Sequence, residues 1–352
     1  MTPEALAALQ GRAAEAAPQV RENVPMVPGL VMHLDGDMVC YSCAGNDGTS
    51  PGEARMNALA LIEKLRARSG AENTVVHMTA PGCHKGERYL IATVKPYQGQ
   101  RSGSRRPKNH GYLQDWLMGY EGDAFKVKNW KTREADDGIA VCAYHASKQE
   151  TPGYIVIATA DKDMRMLPGL HIDWKTHKLV RVMPGDFEVY GEAEGDKPAK
   201  LYGSKWFWMQ MLMGDAADNI PGLPKYCTTD SKGKDCLKPM GEKTAEKFLE
   251  RVKCNAAAFA EVYGLYCEFY KDQCYEEDGR PYFDYRPADQ AFCEQAALLW
   301  MRTDNAAAIN NFATHKGPGC ISEAFPDELR VAAAMLVKRV ENLRNETNEL
   351  AA

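Results

Sequence analysis

Asp215 and Asp218 stand three residues apart in the stretch Met213-Gly-Asp-Ala-Ala-Asp-Asn-Ile-Pro-Gly222. An apolar, aromatic-rich run precedes them (Trp206, Phe207, Trp208, Met211, Leu212), and Asn219-Ile-Pro-Gly222 is a turn signal. If the run is a helix, its end directs both carboxylates from one side into the same space. Like charges that close repel, so the arrangement is costly unless a cation lies between them. Taken alone, the pair is explained equally well by acids capping a turn. The rest of the chain decides, by whether it supplies more carboxylates of the same kind.

Three other places supply them. The apolar run 29–34 ends in Asp35-Gly-Asp37, Glu134-Ala-Asp-Asp137 opens the apolar run 139–143, and the run 154–158 leads into Thr159-Ala-Asp-Lys-Asp163. Turn chemistry accounts for Asp35, and a helix dipole favours one or two of Glu134, Asp136 and Asp137, but three crowded together less well. Nine carboxylates in one cleft cannot all stay ionised without counter-ions. Oxygen donors select Mg2+ or Mn2+ over zinc, and no His/Cys cluster competes: Cys40-x-x-Cys43 lacks a second pair. Two such ions a few ångströms apart suit in-line attack of water on a phosphodiester.

A phosphate backbone would be repelled by such a pocket unless cations bring it in. Between residues 95 and 110 the chain carries Lys95, Arg101, Arg105, Arg106 and Lys108 with no acid, and Tyr97 adds an aromatic face. Cations for phosphates and a ring for a base are what a groove tracking nucleic acid needs. A solvated basic loop is the plainer reading of the same residues.

For the acids to meet, the elements carrying them must share a sheet. Strands are expected at 29–34, 74–78, 154–158, 179–182 and 187–190, and an amphipathic helix at 53–69 stopped by Gly70. A stretch at 111–130 reads as partly helical, and further helices are expected at 204–213, 241–252, 255–271, 288–301, 304–312 and 326–348, with a loop around 278–287. This βαβ rhythm predicts an α/β fold, in which strand ends converge on one edge. His77, Leu298 and Trp300 read as core. Residues 1–28 read as an Ala-rich lead-in, without the apolar core of a signal peptide.

The bulk numbers set wider bounds. At 352 residues, 26% charged and 45% hydrophobic, the composition is that of an ordinary globular protein. A net charge of −5 does not exclude a nucleic-acid partner, because a local basic stripe matters more than the sum. Eleven scattered cysteines without a signal peptide point to reduced thiols and a cytoplasmic setting. No run reaches the ~18 apolar residues of a membrane span.

In order and wording these motifs resemble the 5′-nuclease (flap endonuclease) superfamily, most of all the 5′→3′ exonucleases of short-tailed phages. The matching pieces are Leu34-Asp-Gly-Asp37, Tyr97-x-x-x-Arg101, Glu134-x-Asp-Asp137, Ala160-Asp-Lys-Asp163 and Gly214-Asp-x-x-Asp-Asn-Ile-Pro-Gly222. The resemblance implies a PIN-like central sheet between helices, with a helix–three-turn–helix and a helical C-terminal region. It implies two divalent ions held by Asp35, Glu134, Asp136, Asp137, Asp161, Asp163, Asp215 and Asp218. Tyr97 falls where the family stacks a ring on the terminal base, and Arg101 where it contacts phosphate. The family's gateway lysine is Gln98 here, so Lys95 is taken with Arg101 as the catalytic cation; Lys85 and Arg88 are the alternatives. Many relatives carry an aspartate where this chain has Thr79. Gly241-Glu-Lys-Thr-Ala245 matches the DNA-holding helix pair, with Lys243 and Thr244 suited to a phosphate.

An insert at 225–238, bracketed by Cys227 and Cys236, interrupts that pair and puts in doubt the K+ site relatives build there. The implied layout is a lead-in at 1–28, a nuclease domain at 29–213 with a basic gateway at 95–130, and a DNA-binding region at 214–352. The implied activity is 5′→3′ hydrolysis of duplex or flapped DNA, with RNA of RNA–DNA hybrids as a second substrate, in phage replication or recombination. A PIN-type ribonuclease and a non-catalytic structure-specific DNA binder are the rival readings.

Overall fold

The computed structural model describes residues 24–101, 103–151, 153–195, 198–229, 233–271, 275–277, 280–282 and 288–351. Most of the lead-in therefore lies outside the described residues. So does the loop expected around 278–287, apart from the short strand at 280–282.

A six-stranded sheet of order β3-β2-β1-β4-β5-β6 forms the centre. β1 (Val27–Asp35), β2 (Ala71–Thr79), β3 (Lys126–Trp130), β4 (Val156–Ala158) and β5 (Gly169–Ile172) run parallel, and β6 (Leu179–Val182) is antiparallel at the edge. Side chains alternate across a strand, and the core follows that period. Leu30, Met32 and Leu34 of β1 join Val76 and Met78 of β2 on one face, while Ile157 of β4 turns to the other. Helix α1 (Gly36–Ser42), α2 (Pro51–Ser69) and, beyond the short α3 (Arg88–Ile91), α4 (His110–Met118) add Val39, Ile62, Leu65 and Leu113 to the first face. Helix α5 (Ala135–Ala146) and α6 (Ser204–Met213) belong to the second.

Local chemistry explains where these helices begin. α2 starts at a capping box in which Ser50 and Glu53 satisfy each other's backbone N–H, with Pro51 at the first position, and stops at Gly70 with φ of 72°. α6 is buried on every side from Ser204 to Leu212, as expected of a helix apolar all round. Two of its buried polar residues have partners: Lys205 Nζ lies 2.7 Å from Glu188 and Gln210 Nε2 donates to Asp163 at 2.6 Å. Helices α7 (Glu242–Phe248), α8 (Asn255–Tyr270), α9 (Ala288–Leu299), α10 (Asn311–Thr314) and α11 (Asp327–Ala351) extend the same core through Phe259, Tyr266, Phe292, Phe312 and Leu329. Leu298, Trp300 and His77 are buried, as expected of core residues.

Some elements differ from expectation. The stretch 111–130 is one helix and one strand, because Lys-Val-Lys-Asn-Trp130 is a polar edge strand with almost no alternation to read. β5 was not expected, being four residues that include a glycine and a histidine. The insert folds into an antiparallel hairpin, Tyr226–Thr229 against Asp235–Lys238. The helix expected at 304–312 is mostly turn, leaving only α10. Strand order reverses between β1 and β4, so a crevice opens beyond their carboxyl ends, the usual place for a site in such a sheet. No helix among the described residues is long and apolar enough to cross a membrane.

Candidate metal centre

Asp35 ends β1 and caps α1, accepting from the Met38 N–H at 3.1 Å. Thr159, just past β4, donates its hydroxyl to Asp35 Oδ2 at 2.9 Å and accepts the Asp161 N–H at 3.0 Å. One threonine thus ties together the two sides of the crevice. Asp161 Oδ1 in turn accepts the Asp163 N–H at 2.9 Å, and Asp163 is held by Gln210 of α6. On the β2 side, Thr79 donates its N–H to Asp37 at 3.2 Å and accepts the Ala135 N–H at 2.9 Å. It therefore orients Asp37 and the start of α5 where relatives are expected to place an acid.

The stretch after α6 closes the site. Asp215 and Ile220 exchange both backbone hydrogen bonds at 2.8 Å, making a tight loop that carries Asp215 and Asp218 on its inner side. Gly214 has φ of 70° and Gly222 φ of 62°; a Cβ on Gly214 would lie 2.2 Å from the Ile220 carbonyl oxygen. Asp215 is buried and paired with Lys162 at 2.8 Å. Asp163, Asp215 and Asp218 each offer an oxygen within 4.8 Å of the others. Sequence reasoning did not assign Thr159, Lys162 or Gln210. A polar Gln210 inside an otherwise apolar helix was the one readable signal for a buried partner.

Glu134, the N-cap of α5, meets the opposite wall. Tyr97 Oη lies 2.8 Å from Glu134 Oε2 and 2.9 Å from Asp218 Oδ2. The hydroxyl has one proton to donate, so one of these two contacts needs a further proton or cation. Gln98 Nε2 donates to Asp218 Oδ1 at 3.0 Å and to Glu134 at 3.3 Å. The Tyr97 ring packs against the core with its hydroxyl turned into the acids, and is not the open stacking platform expected. Burial and Glu134 hold its hydroxyl well above the usual phenol range, so it stays protonated.

The cations are distributed differently from expectation. Lys95 is exposed and has no ion-pair partner among the described residues. Lys85, one of the alternatives, stands beside the acids, with Nζ 2.5 Å from Gln98 Oε1 and 3.4 Å from Glu134 Oε1. Arg101 sits on Asp218 at 2.5 Å. Arg105 pairs with Asp47 at 3.1 Å, Lys108 Nζ donates to the Asp47 carbonyl at 3.1 Å, and Arg106 is exposed. The basic stretch is therefore pinned at both ends, one of them to the acidic site. Lys243 and Thr244 are exposed at the start of α7, and Lys243 lines an open groove of mixed charge with Lys247, Lys253, Glu188, Glu246 and Glu250.

Asp137 stands apart. Both its oxygens receive Arg88, at 2.8 and 2.9 Å, and Oδ1 also accepts the Arg302 N–H at 2.9 Å. Burial would raise this carboxyl, but Arg88 outweighs burial and holds it below the usual range. The metal role expected for Asp137 therefore does not match its geometry: its oxygens are already committed to Arg88. The remaining acids behave oppositely. Burial and Asp37 push Asp35 up to about 7. Burial, then Asp137 and Glu134, hold Asp136 well above the ordinary value; burial, then Asp161 and Asp215, do the same for Asp163. Asp161 is raised by burial and by Asp218 and Asp215. Buried acids that repel one another are relieved by a cation between them, and an all-oxygen donor set suits a hard divalent one.

One cluster was not foreseen. His33, His77 and Cys142 meet on the second face of the sheet. The Trp130 indole N–H donates to His77 Nδ1 at 2.9 Å, which fixes the proton on Nε2 and directs it to His33 Nδ1 at 2.8 Å. Both nitrogens of His77 are used, so the cluster is a hydrogen-bonded core chain.

Compared with known proteins, no family model matches the chain. It is 34% identical over 118 residues to DNA polymerase I of Deinococcus radiodurans, covering 33% of this chain and 10% of that one. It is 30% identical over 142 residues to DNA polymerase I of Bacillus caldotenax (40% and 13%) and 28% identical over 162 residues to that of Bacillus subtilis (45% and 16%). The chain thus spans under a fifth of the length of these relatives. Among solved structures, a bacteriophage T5 flap endonuclease complex with DNA and metal ions aligns at 14% identity and a TM-score of 0.45, over 88% of this chain and 99% of that one. A zinc-bound T5 5′-exonuclease aligns at 14% identity and 0.46 over the same shares. In its ordered acidic motifs and in its likeness to part of three bacterial DNA polymerases I, the chain resembles the 5′-nuclease superfamily.

Proposed function

We propose that the protein is a divalent-metal-dependent 5′-nuclease that hydrolyses phosphodiesters in DNA. The observation that carries this reading is the convergence of carboxylates from β1, α5, the β4 end and the loop after α6 on one crevice. Asp35, Asp136, Asp161, Asp163, Asp215 and Asp218, with Glu134 at the wall, would hold two Mg2+ or Mn2+ ions. When bound, such ions activate water and stabilise the leaving oxygen of a phosphodiester. Tyr97 and Gln98 orient Asp218 and Glu134, while Lys162 holds Asp215 and Thr159 holds Asp35. Arg101 and Lys85 lie beside the acids, where a scissile phosphate would need positive charge. A strand entering the site would draw these two cations off the carboxylates they cover in the free protein.

In this reading residues 29–213 form the nuclease domain and 214–352 hold duplex DNA, with Lys243 and Thr244 on phosphates. Duplex and flapped 5′ ends are the substrates, RNA of hybrids a further one, in phage replication or recombination. The described cysteines are free thiols, which fits a cytoplasmic setting. The hairpin in the insert interrupts the helix pair in which the resemblance implies a K+ site, and leaves that site a doubtful part of the reading. The test is digestion of 5′-labelled duplex and flap DNA by purified protein with Mg2+, beside Asp161→Ala. Release of short labelled products by the wild type alone supports the reading. An intact label in both overturns it.

A further inference from the structure

The turn at 96–101 is fastened to the loop after α6 that carries the last two acids. Gln98 donates its backbone N–H to the Asp218 carbonyl at 2.9 Å, and Asn219 Nδ2 donates to the Pro96 carbonyl at 2.9 Å. Gln100 Nε2 donates to the carbonyls of Ala216, at 3.0 Å, and of Ala217, which also accepts from Arg101 Nε at 3.1 Å. The Asp218 carboxylate completes the joint: Oδ2 takes the Tyr97 hydroxyl at 2.9 Å, and Oδ1 takes Gln98 Nε2 at 3.0 Å and Arg101 Nη2 at 2.5 Å. A carboxylate offers roughly four lone-pair sites, so the turn occupies most of Asp218. Yet Asp218 also offers an oxygen within 4.8 Å of those of Asp163 and Asp215. The turn and the acidic cluster thus claim the same carboxylate.

Both sides of the joint are strained. Gln98 has φ of 54° and Asn219 φ of 60°, a left-handed conformation that costs a residue other than glycine about 1–3 kcal/mol. The contacts must offset that cost, and Arg101 on Asp218 is the one ion pair between turn and loop among the described residues. Gln100, Arg101, Ala216 and Ala217 are all exposed, so residues 98–101 can part from the loop while the Tyr97 ring stays packed on the core. A divalent ion at Asp218 would face the Arg101 guanidinium across one carboxylate, and like charges so placed repel. We infer that residues 98–101 are a latch: Asp218 exchanges Arg101 for a divalent ion, the turn parts from the loop, and the freed guanidinium is what a DNA phosphate then meets. The inference rests on the reading of the crevice as a metal centre and adds an order to it, metal before strand.

Hydrogen exchange across 97–101, followed by mass spectrometry in EDTA and in Mg2+ without DNA, tests it beside calorimetric titration with Mg2+. In the wild type the segment should be protected in EDTA and exchange at least ~10-fold faster in Mg2+. Gln100→Ala, an exposed substitution that removes the two side-chain hydrogen bonds to Ala216 and Ala217, should exchange faster in EDTA already. Arg101→Gln should bind Mg2+ about three-fold or more tighter, because the competing charge is gone; a residue that only shaped the loop would weaken binding when replaced. Mg2+ that binds the wild type without speeding exchange overturns the inference and leaves the metal reading standing. So does equal or weaker Mg2+ binding by Arg101→Gln, or unchanged exchange in Gln100→Ala. Absence of Mg2+ binding by the wild type overturns the metal reading itself, and the latch with it.

Discussion

Asp161 and Asp163 sit at the centre of the acidic crevice, each raised by burial and by its neighbours. Replacing either with asparagine removes a charge that is costly without a cation and that the proposed metal site would need. Asp163→Asn should therefore raise the melting temperature in EDTA while lowering DNA cleavage by at least ~100-fold; a fall in both would mean that the carboxylate is structural. Asp137 is the opposite case. Arg88→Met leaves it buried without its bidentate partner, and also strands the Leu298 and Trp300 carbonyls that Arg88 serves. A loss of about 3–5 kcal/mol in urea unfolding is expected, with little further change when Mg2+ is present. Asp161, Asp163 and Asp137 come from similar acidic motifs, yet the first two are crowded by other acids while Asp137 already holds Arg88.

At the scale of elements, the loop joining α6 to the rest is the least forgiving. Gly214→Ala would force a Cβ against the Ile220 carbonyl at a backbone conformation reserved for glycine. It should cost at least ~2 kcal/mol and weaken Mg2+ binding together, because the same loop aims Asp215 and Asp218. Chemical denaturation with and without Mg2+ reads both effects. The loop was legible before the structure because Gly-Asp-x-x-Asp-Asn-Ile-Pro-Gly fixes its turns locally. The strong strands β1, β2 and β4 were legible for a similar reason: their apolar runs are bounded by turn residues. β3 and β5 were not, since Lys-Val-Lys-Asn-Trp130 and Gly-Leu-His-Ile172 become strands only by pairing with an existing sheet. The same limit applies to the site. The acids could be read from strand ends, but the commitment of Asp137 to Arg88, or of Tyr97 to Glu134 and Asp218, depends on residues dozens of positions apart. The missing gateway cation is instructive too. Lys85 reaches Gln98 and Glu134 from a 3-10 turn, Lys85–Glu87, in which Lys85 and Glu87 themselves have positive φ, a geometry no local pattern announces.

The whole molecule carries these local charges as one dependence on pH and metal. With Asp35 raised to about 7 and Asp136, Asp161 and Asp163 also above the ordinary aspartate value near ~4, these acids bind more protons in the folded chain than in the unfolded one between those limits, while His33, His171 and His315, lowered by burial to about 4, bind fewer. The acids' contribution to the unfolding free energy in EDTA should therefore fall as pH rises from about 4 to about 7, and the difference between the wild type and Asp161→Asn separates it from that of the histidines. A divalent ion competes with the protons for the same oxygens, so its stabilisation should grow with pH, reaching about 2.7 kcal/mol at a hundred-fold excess over its dissociation constant. Urea unfolding at a series of pH values, with EDTA and with Mg2+, gives two curves that converge near pH 5 and separate above it. Asp161→Asn should bring the curves together and flatten the EDTA one. Parallel curves would show that the raised acids are set by burial alone, and that the crevice has no stake in a cation.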